Sequence, residues 1–268
     1  MNGIKTLEIA CGIVATAVLG LRLTRWRSTP RSHPFTVALL LLALGVMLGQ
    51  PTFLNTWLSA HTAADTHLAN FSILLGDLSI TTAAGYLGIL VIDAWSLDVL
   101  RNWVIRGVVS AELLMLTLWA ISDAPRIPTE YVGHLGGPAT FYSNVATFPI
   151  LVAHLAILLS ILAVRVPTGI RTALLPLALA ALLGIAVSAL RILGDATSDT
   201  VTALLETAMR PLTLGMIFLY SLSGLIGYFL TAPHLPGEQP GRFDRVGEAG
   251  HRSRSQQAEK RQAAPSST

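Results

Sequence analysis

Charge is scarce in this chain. Only 12% of its 268 residues are Asp, Glu, Lys or Arg, where a soluble domain carries about one quarter. A water-facing globule needs a charged surface, so the deficit excludes the ordinary soluble classes. Cysteine is nearly absent as well. Cys11 stands alone, which excludes an internal disulfide and leaves a thiolate metal site without its ligands. Lysine is confined to Lys5 and Lys260, so the basic character rests on arginine. No GxxxxGK phosphate loop, HExxH zinc motif, GxSxG nucleophile elbow or paired-cysteine pattern occurs. The reading is therefore a non-enzyme with no cofactor, no metal and no catalytic residue assigned.

What is abundant is apolar. Hydrophobic residues make up 52% of the chain and mean hydropathy is +0.61. Several runs reach the ~18 apolar residues that mark spanning helices. The sequence predicts an all-α, polytopic membrane bundle of seven transmembrane helices near 4–23, 35–55, 67–92, 104–122, 142–165, 172–194 and 200–230. Turn-forming stretches separate them, notably "RSTPRSHP", "APRIPTEYVGHLGGP" and "RVPTG". The transmembrane domain is expected over 1–232. A Ser/Gln-rich, basic tail is expected to be disordered and cytoplasmic over 233–268. The start resembles a signal peptide, but Glu8 and the arginines from Arg22 onward argue for a retained first helix. Arginine in place of lysine, with abundant Ala and Leu, is the composition of a GC-rich bacterial genome. The expected location is thus the plasma membrane of a bacterium.

Loop charge sets the expected direction. Arg22, Arg25, Arg27 and Arg31, then Arg101 and Arg106, then Arg165 and Arg171 fall on one side with the tail's six basic residues. Lys5 and Arg126 fall on the other. By the positive-inside rule the N-terminus lies outside and the C-terminus in the cytoplasm. This rule accounts for the arginines without nucleic acid as a partner. Trp26, Trp95, Trp103 and Tyr228 at inner boundaries, and Trp57, Trp119, Tyr131 and Tyr142 at outer ones, form interfacial belts. Gly12, Thr16 and Gly20, and separately Gly45 and Gly49, offer small faces for helix contact.

Against this apolar background, ionisable residues inside the spans stand out, each costing about 2.5–3.5 kcal/mol on insertion scales. The third helix carries Asn70, Asp77 and Thr81 on one face, the sixth Arg191 and Asp195, and the seventh Glu206 and Arg210. The direction of the helices brings Asp77, Arg191, Asp195, Glu206 and Arg210 to one level in the outer half. There they form either a ligand or ion cavity or a structural salt-bridge network, with Asp77 facing Arg191 or Arg210. Glu112 in the fourth helix either carries a proton or is hydrogen-bonded across helices. His154, on the stripe with Ser143 and Thr147 in the fifth, reads as an interhelical hydrogen bond before a ligand. The His61, Asp65 and His67 cluster reads as a solvated loop before a metal site.

Three stretches, "HLANFSILLGDLSITTAAGYLGIL", "FYSNVATFP" and "LRILGDAT", resemble a family of actinobacterial seven-helix integral membrane proteins of unknown function. Members carry a transporter label, and longer ones continue into a cytoplasmic domain. The resemblance implies the seven-helix fold and a transport role, with no substrate or catalytic residue attached. Two function classes follow. One is a small-solute or ion transporter using the polar level, with the lipid bilayer and an unknown small molecule or ion as partners. The other is a receptor-like or scaffolding membrane protein whose basic tail engages a cytoplasmic protein.

Overall fold

The computed structural model describes residues 2–27, 32–49, 69–129, 131–164, 168–196 and 199–230. Seven α-helices run through them: α1 Asn2–Thr24, α2 His33–Leu48, α3 Phe71–Trp95, α4 Arg101–Ile121, α5 Pro138–Ala163, α6 Thr168–Ala196 and α7 Asp199–Leu230. No strand occurs among the described residues. The expected tail and the His61, Asp65 and His67 cluster lie outside them.

Local chemistry sets the helix ends. Pro34 and Pro138 stand in the first turns of α2 and α5, where the missing N–H deprives no carbonyl of a partner. Asn70 and Ser96, on either side of α3, adopt left-handed backbone with φ of 59° and 55°. The expected start of that helix at 67 is therefore cut back to Phe71. Pro149, Pro176 and Pro211 lie inside α5, α6 and α7. Apolar surroundings keep the remaining backbone hydrogen bonds within the helix, so it continues through each proline. The sixth and seventh helices, expected to end at 194 and start at 200, run to Ala196 and from Asp199.

Successive helices are antiparallel. The α3 residues Gly85 and Gly88 lie beside Val108 and Val104 early in α4, and His154 of α5 lies against Gly184 of α6. Arg22 at the end of α1 reaches the last turns of α7, so these two run parallel. One end of the bundle, called upper here, carries the α4–α5 loop and the α6–α7 turn. The lower end carries the α1–α2 and α3–α4 turns.

The closest backbone approach joins α2 to α3. A Cβ added at Gly76 would stand 2.8 Å from the Gly45 carbonyl oxygen and 3.0 Å from the Gly49 nitrogen. The Gly45 and Gly49 face is thus a contact surface. The Gly12, Thr16 and Gly20 face of α1 is exposed instead, with nothing within 4 Å of either glycine's missing Cβ.

Five helical segments are long and apolar enough to cross a membrane: Phe71–Trp95, Asp98–Ile121, Pro138–Ala163, Leu174–Gly194 and Thr207–Leu230. The apolar parts of α1 and α2, Ile9–Thr24 and His33–Leu48, are shorter, about 24 Å at 1.5 Å per residue. Large apolar side chains point outward along α4, with Trp103 67%, Leu113 60% and Ile121 66% exposed. Such a surface belongs in lipid. The chain is a helical, membrane-embedded protein by this architecture.

Candidate functional site

Asp77 sits in the second turn of α3, and its side chain is only 8% exposed. Arg191 approaches from α6 with a side chain 16% exposed. The guanidinium binds the carboxylate through both oxygens, Nη1 to Oδ1 at 3.1 Å and Nη2 to Oδ2 at 3.0 Å. Arginine's planar fork fits a carboxylate in this bidentate way, which lysine cannot do. The Tyr142 hydroxyl on α5 donates to Oδ2 at 2.9 Å. Arg191 Nε donates to Ser143 Oγ at 3.2 Å, and Ser143 Oγ in turn shares a hydrogen bond with Tyr131 OH. The guanidinium carbon lies 5.5 Å from the Tyr131 ring centre, within cation–π range.

This site draws on α3, the α4–α5 loop, α5 and α6. Its two charges cancel and both carboxylate oxygens have donors, the condition under which a buried pair recovers its desolvation cost. The arrangement holds α3 to α6.

Of the five charges expected at one level, Asp77 and Arg191 meet. Arg210 is exposed on α7. Asp195 lies in the last turn of α6 and Glu206 in the second turn of α7, with side chains outside the described set. Tyr142 and Tyr131, read from sequence as interfacial belt residues, belong to the network instead. Tyr142 is 0% exposed. A signal for it existed: Tyr142 shares a helical face with Ala146 and Ala153, so one large polar-tipped side chain projects where the others are small.

The remaining polar residues are tied locally. Asn70 Nδ2 donates to the Ala124 and Ile127 carbonyls at 2.9 and 2.7 Å, while its Oδ1 accepts from Thr129 N at 3.0 Å. It latches the α4–α5 loop that delivers Tyr131. Thr81 Oγ1 lies 3.7 Å from Met115 Sδ. Glu112 is half-buried and accepts from Thr82 Oγ1 of α3, a hydroxyl also within reach of the Leu78 carbonyl. The cross-helix hydrogen bond anticipated for Glu112 is thus present. His154 is fully buried, with Nδ1 2.6 Å from the Ile150 carbonyl oxygen. Since that oxygen only accepts, Nδ1 carries the hydrogen.

At the lower end, two arginines do more than set loop charge. Arg22 donates to Thr36 Oγ1 and to the Gly224 carbonyl, both at 2.9 Å. Arg25 donates to the Tyr228 carbonyl at 3.0 Å and stacks 3.9 Å from the Tyr228 ring centre. Cations at the C-terminal carbonyls of α7 complement its dipole. Among the described residues no group of three His, Cys, Asp or Glu is placed to hold a metal. No protein-family model matches this chain, and neither a curated protein nor a solved structure is similar to it.

Proposed function

We propose that this chain is a seven-span membrane protein of the bacterial plasma membrane that moves a small solute or an ion across the bilayer. It acts without enzymatic chemistry, and its N-terminus faces outward. The observation that carries this reading is the Asp77–Arg191 pair with its Tyr142 and Ser143 partners, a charged and hydrogen-bonding level set inside an otherwise apolar bundle. An ionisable residue at membrane depth is by default a candidate for a solute or ion path. The resemblance of residues 67–90, 141–149 and 190–197 to transporter-labelled seven-helix proteins of actinobacteria supports the same class. In this reading the pair closes the upper half of the α3–α5–α6 interior, and a solute that competes for either charge opens it. The test is uptake of a panel of small ions and polar solutes into proteoliposomes. Uptake that depends on both Asp77 and Arg191 supports the proposal; uptake indifferent to both contradicts it.

A further inference from the structure

Below the ion pair, the seam between α5, α6 and α7 holds polar atoms that the network does not use. His154 Nε2, Ser188 Oγ and Tyr220 OH are buried and have no hydrogen-bond partner among the described residues. Their residues are 1%, 2% and 1% exposed. Buried polar atoms without partners are uncommon in native structures, and each one leaves a desolvation penalty uncompensated. Three along one seam point to a shared occupant.

Helix register places them along one seam. The α5–α6 register is fixed at two rungs, Ser143 against Arg191 and His154 against Gly184. Ser188 lies between these rungs, on the α6 face that carries Gly184 and Arg191. The Tyr220 ring is centred 5.9 Å from the His154 ring. Side chains tilt toward the N-terminus of their own helix. Ser188 therefore leans downward and Tyr220 upward, both toward the level of the imidazole.

Chemistry then limits what fits. Nδ1–H is committed to the Ile150 carbonyl, so in the neutral ring Nε2 is a pure acceptor. The two hydroxyls both donate and accept. The occupant must therefore carry an O–H or N–H donor for Nε2, and the hydroxyls suit either a donor or an acceptor. It is also small, because a Cβ at Gly184 would overlap the imidazole, so the helices are already close there. We propose that His154, Ser188 and Tyr220 bind ordered water. This water continues the hydrogen-bonded interior from the Arg191 level to the middle of the bundle. The proposal goes beyond the transport reading and holds whether or not a solute is carried.

The sign of a stability change separates bound water from dry packing. Where water bridges the groups, removing a hydroxyl breaks hydrogen bonds and lowers the melting temperature. Where the hydroxyls are dry, removing one relieves an unmet penalty and raises it. Ser188→Ala and Tyr220→Phe, purified in lipid nanodiscs, are expected to melt below the parent protein. Independently, nitrogen NMR of the unsubstituted protein with labelled histidine reads Nε2 directly. His154 is assigned by replacing the six other histidines. A cross-peak between water protons and the His154 ring, at an Nε2 shifted as a hydrogen-bond acceptor, is the expected result. Absence of that cross-peak overturns the proposal by itself, and so do variants that melt at or above the parent.

Discussion

A lone carboxylate at Asp77 would face an apolar interior, and so would a lone guanidinium at Arg191; each is tolerable because the other is there. The bidentate contact at 3.0 and 3.1 Å, with Tyr142 and Ser143 completing the shell, makes the pair a unit. Removing one member leaves the other buried and uncompensated, which costs about 3–5 kcal/mol. We therefore expect Asp77→Asn and Arg191→Gln each to destabilise the purified protein by roughly that amount. The double variant should lose less than the two single losses combined, a coupling that a double-mutant cycle measures directly. Additive losses would show that the two side chains act independently. At this scale the sequence was partly legible. Periodicity and the small number of buried charges narrowed the partners of Asp77 to Arg191 or Arg210. It could not choose between them, because that choice depends on how far α6 and α7 rotate about their axes. Tyr142 was missed because a tyrosine near a helix start reads equally as a membrane-interface anchor.

Helix against helix, backbone approach decides the packing. Gly45, Gly49 and Gly76 bring α2 and α3 so close that a single methyl group has no room. Gly76→Ala is expected to destabilise by about 1–3 kcal/mol through overpacking, read as a lower melting temperature. Gly12→Ala, on the open face of α1, is expected to leave it unchanged. A neutral Gly76→Ala would mean that the two helices are not in contact at this point. Both glycine pairs carry the same sequence signature, and only the three-dimensional partner distinguishes them. The helices themselves were legible to within four residues, except for the end of α2, expected at 55 and described to Leu48, because long apolar runs and prolines at their borders are local features. Their ends shifted where a left-handed residue such as Asn70 stops the helix, a choice driven by the carbonyls of the α4–α5 loop that its side chain must reach.

For the molecule as a whole, the exposed apolar surface of α4 and five span-length helices call for lipid around the bundle. The charge bias then gives a direction. A reporter fused after Gly237 is expected to be active only in the cytoplasm, and an external reporter signal there would reverse the proposed orientation. That bias is visible in sequence alone because loop arginines act one by one. A site assembled from α3, α5, α6 and the α4–α5 loop is not visible in this way, since its parts lie up to 114 residues apart. In the proposed transport role, the Asp77–Arg191 level governs passage through the bundle. This role is tested most directly by solute and ion uptake into proteoliposomes carrying the parent, Asp77→Asn, Arg191→Gln or the exchanged pair Asp77→Arg with Arg191→Asp. Uptake by the parent is expected, with a fall of about tenfold or more in each single variant, equivalent to about 1.4 kcal/mol in the barrier, and partial recovery in the exchanged pair. Uptake that is equal in all four proteins would contradict the proposed role.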